Sequence, residues 1–248
     1  MRIAAIYDIH GNLSALEAVL SEIDNVGADR IVVGGDVIPG PMPSETLSAL
    51  FAVKRPIEFI HGNGEIAILQ QVDGDEVTSV PPQVRSIIEW TAQQLSRNQL
   101  DQLRSWPKTF RLESESLGRI LFCHATPRNE NEIFTKLTSV DRLEPIFSAI
   151  DADIVVCGHT HMQFDRTVGP VRIVNAGSVG MPFGESGAHW LLLERDIQFR
   201  QTSYNFEQAA DRIRGSNYPQ AEQFAANNIL TVPAEAQMLE LFEKDAAK

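Results

Sequence analysis

Metal-seeking residues recur in this chain at one kind of place, the polar end of a short apolar run: Asp8-Ile9-His10, Gly35-Asp36, Gly62-Asn63, His124 and Gly158-His159-Thr160-His161. In the first third, residues 3–7, 29–34 and 57–61 read as strands. Helical patterning lies between them, at Leu13, Leu16, Val19, Leu20 and Ile23 and again over 43–53. This alternation predicts βαβ units, and a parallel sheet gathers the residues that follow its strands at one edge. The scattered carboxylates, imidazoles and one amide are therefore expected to converge. Ser14-Ala15-Leu16-Glu17 has capping-box spacing and predicts a helix start there.

The middle, about 66–106, is patterned as helix. It is opened by Pro81-Pro82, with Val84, Ile87, Ile88, Thr91 and Leu95 and then Leu100, Leu103 and Trp106 in register, so a helical insert over the rim of the site is expected. Strands are predicted at 120–124, 154–157 and 171–174, with a hairpin of 190–194 and 197–202 turning at Arg195-Asp196. The tail, about 205–248, reads as helical and its last five residues as fraying. With 248 residues, no internal repeat and no low-complexity linker, the chain is read as one domain spanning 1–248.

Composition narrows the partners. The net charge is −12 and no Lys/Arg cluster forms the basic face that duplex nucleic acid requires, so that partner is not expected. No run approaches the ~18 apolar residues of a membrane span, and Asp8 arrives too early for a secretory apolar region. Cys123 and Cys157 sit inside apolar runs, where buried free thiols are expected. The chain is read as cytoplasmic, without a membrane partner, and a homo-oligomer is left open.

In an extended segment residues i and i+2 face the same way, so Asp8 and His10 are expected to share one ion, and His159 and His161 to share a side. The ligands divide into two sets: Asp8, His10, Asp36 and His161, and Asp36, Asn63, His124 and His159, with Asp36 bridging. Nitrogen and oxygen donors without thiolate favour two divalent transition ions, Mn, Fe, Zn, Ni or Co, over an all-oxygen Mg or Ca cage. Two such ions ~3.5–4 Å apart lower the pKa of a shared water and stabilise phosphoryl charge. The pattern thus predicts hydrolysis of a small phosphoester by a metal-bridging hydroxide, with Asp36 and His124 at the catalytic centre.

The order Asp-x-His, Gly-Asp, Gly-Asn, His, Gly-His-x-His resembles the calcineurin-like metallophosphoesterases. Asp8-Ile9-His10-Gly11-Asn12, His124-Ala125-Thr126-Pro127-Arg128 and Asn175-Ala176-Gly177-Ser178-Val179-Gly180 resemble its small bacterial phosphodiesterase branch. The resemblance implies a four-layer α/β/β/α sandwich with two facing mixed sheets. It also implies metal ligation by Asp8, His10, Asp36, Asn63, His124, His159 and His161, and a loop position for Arg128 near the second metal. Arg128 is therefore a candidate phosphate contact, weighed against pairing with Glu130 or Glu132. Asn12 is a candidate substrate contact, weighed against a helix cap.

One departure stands out. The family commonly reads Gly-Asn-His-Asp or Gly-Asn-Cys-Asp where this chain reads Gly62-Asn63-Gly64-Glu65, so the imidazole that protonates the leaving group is absent. General acid catalysis is typically a 10²–10⁴-fold effect, so its loss predicts activity that favours good leaving groups. His61 and His189 are read as structural. Phe183, Trp90 and Trp106 are aromatic candidates for stacking a base, with core packing favoured for the tryptophans. The activity expected is that of a phosphodiesterase, with a metal-binding scaffold, a phosphomonoesterase or a protein phosphatase as alternatives. No Gly-x-Ser-x-Gly elbow supports serine chemistry.

Overall fold

The computed structural model describes residues 1–77 and 80–246. Its first strand, β1 (Ile3–Ile6), is buried on both faces, which is why the sequence there is an unbroken apolar run. It pairs parallel with β2 (Arg30–Val33), which pairs parallel with β3 (Ile57–Phe59). The connections are α1 (Leu13–Val26) and α2 (Pro43–Phe51). The late hairpin β9 (Ala188–Leu193) and β10 (Ile197–Thr202) returns to lie antiparallel on the other side of β1, giving the order β10-β9-β1-β2-β3.

The second sheet has the order β4-β5-β6-β8-β7, from Thr109–Ser114, Gly118–Cys123, Ile154–Cys157, Val171–Ala176 and Gln163–Val168. Its centre, β5-β6-β8, is parallel and both edges are antiparallel. The edge strand β4 mixes half-buried and exposed residues and β7 buries only Phe164 and Val168, a weaker pattern than the buried runs, and sequence reading missed both.

Alternation along β1 explains the layering. Ile3, Ala5 and Tyr7 face Ile120, Phe122, Ile154, Val156 and Val174 between the two sheets. Ala4 and Ile6 face α1 and its neighbours on the outside, through Leu16, Val19 and Ile23. On the far side, Leu121, Val155 and Cys157 pack against Leu143, Ile146 and Phe147 of α6 (Val140–Phe147). The result is the α/β/β/α sandwich that the resemblance implied.

The middle of the chain forms α3 (Asn63–Asp73), α4 (Pro82–Gln94) and α5 (Arg97–Arg104), with Pro82 in the first turn of α4. The tail forms α7 (Phe206–Arg214), α8 (Ala221–Phe224), a π-helical turn (Ala225–Leu230) and α9 (Glu235–Ala246). Of residues 244–248, where fraying was expected, 244–246 continue α9 and 247–248 lie outside the described residues. One local expectation is corrected: α1 is capped by Asn12, whose side chain accepts from the Ala15 N–H, and not by a box at Ser14. Among the described residues no helix is long and apolar enough to cross a membrane.

Candidate metal centre

Each parallel strand hands its ligand to the same edge. Asp8 and His10 follow β1, Asp36 follows β2, and Asn63 follows β3 as the first residue of α3. His124 follows β5, and His159 and His161 follow β6. Five of these residues hold left-handed backbone: Asp8 (φ 53°), His10 (47°), Asp36 (50°), His159 (68°) and His161 (59°). Among the described residues no other non-glycine residue does. Each such residue costs on the order of 1–3 kcal/mol, so the surrounding fold must hold it there. This corrects the reason given from sequence: Asp8/His10 and His159/His161 come together through tight turns, not through extended chain.

The turns are held by close backbone approach. Gly35 (φ 91°) lies so near the Gly62 backbone that a Cβ would come within 2.3 Å of its nitrogen, which draws the loops after β2 and β3 together. The N–H groups of Asp8, His10 and Gly11 donate to the carbonyls of Gly35, Asp36 and Val37. Ser178 Oγ donates to the Asp8 carbonyl at 2.6 Å, and the Asn175 amide donates to the Gly158 carbonyl at 2.7 Å.

The ring nitrogens sort into held and free. Nδ1 of His161, His124 and His10 faces the carbonyls of Met181 (2.8 Å), Gly34 (2.9 Å) and Pro39 (3.4 Å). A carbonyl only accepts, so these partners place the proton on Nδ1 and leave Nε2 as a lone pair pointing inward. Nε2 of His10 and of His161 then face each other at 3.1 Å, and Nε2 of His124 faces Asn63 Oδ1 at 3.0 Å. Two lone pairs at those distances repel, so each facing pair must share a cation, either a proton or a metal ion. Asp8 Oδ1 and His159 Nε2 are buried with no hydrogen-bond partner among the described residues. The donor set therefore fits metal.

Ligand atoms of Asp8, His10 and His161 lie within 4.8 Å of one another, as do those of Asp8, Asp36 and His124. Asp8 belongs to both groups, which the sequence did not reveal. Asp36 turns Oδ2 to His10 Nε2 (3.8 Å) and Oδ1 to His124 Nε2 (3.6 Å), so it also faces both.

Burial and the nearby imidazoles set the charge states. Burial opposes ionisation of Asp8, but His161, His124 and His10 outweigh it and hold the carboxyl well below its ordinary range. Burial, with His124 next to it, lowers His159 to about 4, and burial also lowers His10. For His124 burial acts downward, and the carboxylates of Asp36 and Asp8 reverse it to a raised value.

Sequence reading missed Glu65. It is fully buried on the first turn of α3 and accepts four backbone N–H groups: Asp36 (2.9 Å) and Gly62 (2.7 Å) on Oε2, Val37 (2.8 Å) and Ile38 (3.2 Å) on Oε1. Burial and then the Asp36 carboxylate push its pKa up to about 7. Since all four contacts donate to it, the ionised form is the one the loop is shaped to hold. The available signal was a capping residue three positions after Gly62.

The absence of histidine at position 64 has a steric cause. A Cβ on Gly64 would lie 2.3 Å from the Ile38 carbonyl oxygen and 2.8 Å from Pro39 Cδ, and the Gly64 N–H donates to Asp36 Oδ1 at 2.8 Å. His61 does not replace it, since its Nε2 lies 2.7 Å from the Leu103 carbonyl.

Both substrate contacts expected from sequence are engaged elsewhere. Asn12 is fully buried, with its oxygen capping α1 and its amide donating to the Gly180 carbonyl and the Tyr204 hydroxyl. Arg128 pairs with Glu132, which also accepts from Thr126 Oγ1. Trp106 stacks on Phe59, Trp90 packs edge-on against Tyr218, and Phe183 stacks on the His161 ring with centroids 4.9 Å apart. His189 is buried in the wall.

A cleft of about 520 Å³ opens beside His10, and among the described residues no Lys, Arg, Asp or Glu lines it. This fold and ligand order match the model of the calcineurin-like phosphoesterase superfamily domain over residues 1–197. The chain belongs to that superfamily. Among relatives of this phosphoesterase, the uncharacterized protein MJ0912 of Methanocaldococcus jannaschii is 27% identical over 242 residues, covering 88% of this chain and 94% of its own length. The metallophosphoesterase from Sphaerobacter thermophilus is 26% identical with a TM-score of 0.73, covering 93% of this chain and 98% of that one. The hypothetical protein PH1004 from Pyrococcus horikoshii shares the fold at TM-score 0.76 and 18% identity, covering 90% and 97%.

Proposed function

We propose that this phosphoesterase is a dinuclear metal-dependent hydrolase of a small phosphodiester or nucleotide, acting in the cytoplasm. The observation that carries the reading is the pair of Nε2 lone pairs of His10 and His161 facing each other at 3.1 Å, beside an unpartnered Asp8 oxygen. Asp8, His10, Asp36 and His161 would hold one ion, and Asp36, Asn63, His124 and His159 the other, with Asp36 bridging. Bound there, two divalent ions of the Mn, Fe, Zn, Ni or Co class would stabilise charge on phosphoryl oxygens and lower the pKa of a water.

The chain's own residues do the rest. Carbonyls of Gly34, Pro39 and Met181 fix the imidazole tautomers, and Glu65 clamps the loop that aims Asp36. In the net reaction a water oxygen becomes bonded to phosphorus, the P–O bond to the leaving group breaks, and the water's protons pass to solvent or to that group. No imidazole stands at position 64 to deliver one, so leaving groups that depart as stable anions are favoured.

The uncharged cleft supports a diester over a monoester. A monoester carries a second negative charge, and among the described residues no guanidinium or ammonium lines the cleft to meet it. The free thiols of Cys123 and Cys157 are buried and suit a reducing compartment. The test is metal analysis of the purified chain, followed by hydrolysis of bis(4-nitrophenyl) phosphate and 4-nitrophenyl phosphate with Mn, Ni, Zn or Fe supplied. Turnover of the diester ahead of the monoester is expected. Preference for the monoester overturns the diester reading, and no turnover with any ion, in a chain that binds metal, favours a scaffold.

A further inference from the structure

The cleft beside His10 is built largely by the tail, beyond the residues that match the family model. Its inner wall shares positions with the metal centre: His10 itself, Pro39, whose carbonyl faces His10 Nδ1, and Met181, whose carbonyl faces His161 Nδ1. A phosphoryl group at the centre would therefore project one ester substituent into this space. The outer wall holds four side-chain amides, Gln220 and Gln223 from α8 and its cap, and Asn227 and Asn228 from the π-helical turn. Among the described residues, none of these amides is committed to a hydrogen bond with the protein. Single π-turns recur at functional sites, and this one places two adjacent amides at the cleft.

Apolar side chains also line the cleft, Val84 and Ile87 from α4 and Phe224 from α8. An amide offers a donor and an acceptor side by side, the pairing that reads the edge of a nucleobase. Apolar and aromatic walls suit the flat face of the same ring. A sugar alone would leave the apolar walls without a partner, and a plain aryl group would leave the amides without one. The cleft's size falls within the ~300–1,000 Å³ typical of small-molecule sites.

We propose that this cleft is a nucleoside subsite, in which Gln223, Asn227 and Asn228 read the base edge of a nucleoside phosphodiester whose phosphate lies at the metal centre. The proposal rests on the hydrolase reading above, and its test has an arm that does not. In the first arm, calorimetry follows the binding of adenosine and cytidine, with ribose and 4-nitrobenzyl alcohol as probes of the sugar and aryl parts, in chelator-treated and Mn-loaded chain. In the second, kcat/KM is compared for thymidine 5′-(4-nitrophenyl phosphate) and bis(4-nitrophenyl) phosphate, which release the same leaving group.

Nucleosides are expected to bind more tightly than either partial probe, with or without Mn. Asn227→Ala and Asn228→Ala should each weaken nucleoside binding by about 3–10-fold, the worth of a neutral hydrogen bond, and lower the nucleoside-to-bis-aryl rate ratio by a similar factor. Thermal melts check that the variants fold. Equal binding of ribose or the aryl alcohol, or variants that leave nucleoside binding and the rate ratio unchanged, overturns the subsite. If neither ester is hydrolysed with any ion, the hydrolase reading fails while nucleoside binding still decides the cleft.

Discussion

Restoring the family's histidine at position 64 should damage this protein, not improve it. The backbone at Gly64 is helical, so any side chain is locally tolerated; the obstacle is the space ahead of it. A Cβ would stop 2.3 Å from the Ile38 carbonyl oxygen, about 1.1 Å short of an ordinary 3.4 Å contact, and that neighbour is backbone. The Ile38-Pro39 segment would have to retreat by that amount. It is tied to the centre at both ends, since Ile38 N–H donates to Glu65 and the Pro39 carbonyl faces His10 Nδ1. Overpacking of this kind costs about 1–3 kcal/mol, or roughly 2–12 °C in Tm for a domain of this size. A 1 Å displacement at a reacting centre costs on the order of 10²-fold in rate. Gly64→Ala and Gly64→His should therefore both melt earlier and both lose about 100-fold in kcat/KM on bis(4-nitrophenyl) phosphate. Calorimetric melts and initial rates measure the two effects. A Gly64→His chain that melts with the parent and turns over poor leaving groups faster would refute the steric reasoning, because the site would then have room for the acid.

Without that acid the parent's rate should fall steeply as the leaving-group pKa rises across a series of aryl and alkyl methyl phosphates; a flat series would show that another group donates the proton. Glu65→Ala leaves four backbone N–H groups without an acceptor, so at ~1 kcal/mol each the metal-loaded chain should lose about 4 kcal/mol or more of unfolding free energy in urea, and its metal affinity should fall because Asp36 is no longer aimed. A chelated chain given Mn at 100 times its Kd should gain about 2.7 kcal/mol, and a Tm indifferent to the ion would contradict the lone-pair argument. Burial raises the phenols of Tyr7, Tyr204 and Tyr218, the last to about 12. A raised folded pKa means stability that is complete below the ordinary value near 10 and is lost as pH climbs toward 12. Phenolate absorbance should then rise only together with alkaline unfolding, and phenolate in a chain that is still folded at pH 10 would count against it.

What the sequence disclosed and what it hid follow from the range of the forces involved. Most of the ligands were legible because Asp8, Asp36, His159 and His161 follow buried parallel strands that read as apolar runs without a partner, whereas Asn63 follows the half-buried edge strand β3. The strands β4 and β7 were missed because edge strands carry few buried residues: β4 has none and only a four-residue alternation, Phe110 to Glu113, and β7 buries only Phe164 and Val168. Asn12 was readable as a cap from its own helix, whereas the commitment of Arg128 to Glu132 needed the loop's path. Glu65 escaped for a deeper reason. Read locally it is a capping residue at the start of α3, and its larger task, holding the N–H groups of Asp36, Val37 and Ile38, crosses 27 to 29 residues of chain that only the assembled sheet brings together. The same separation hides why position 64 is glycine. A sequence can show that a proton donor is absent, but the Ile38 carbonyl that occupies its place is a property of the fold, and it turns an apparent loss into a position that no side chain can enter while the Asp36 loop keeps its course.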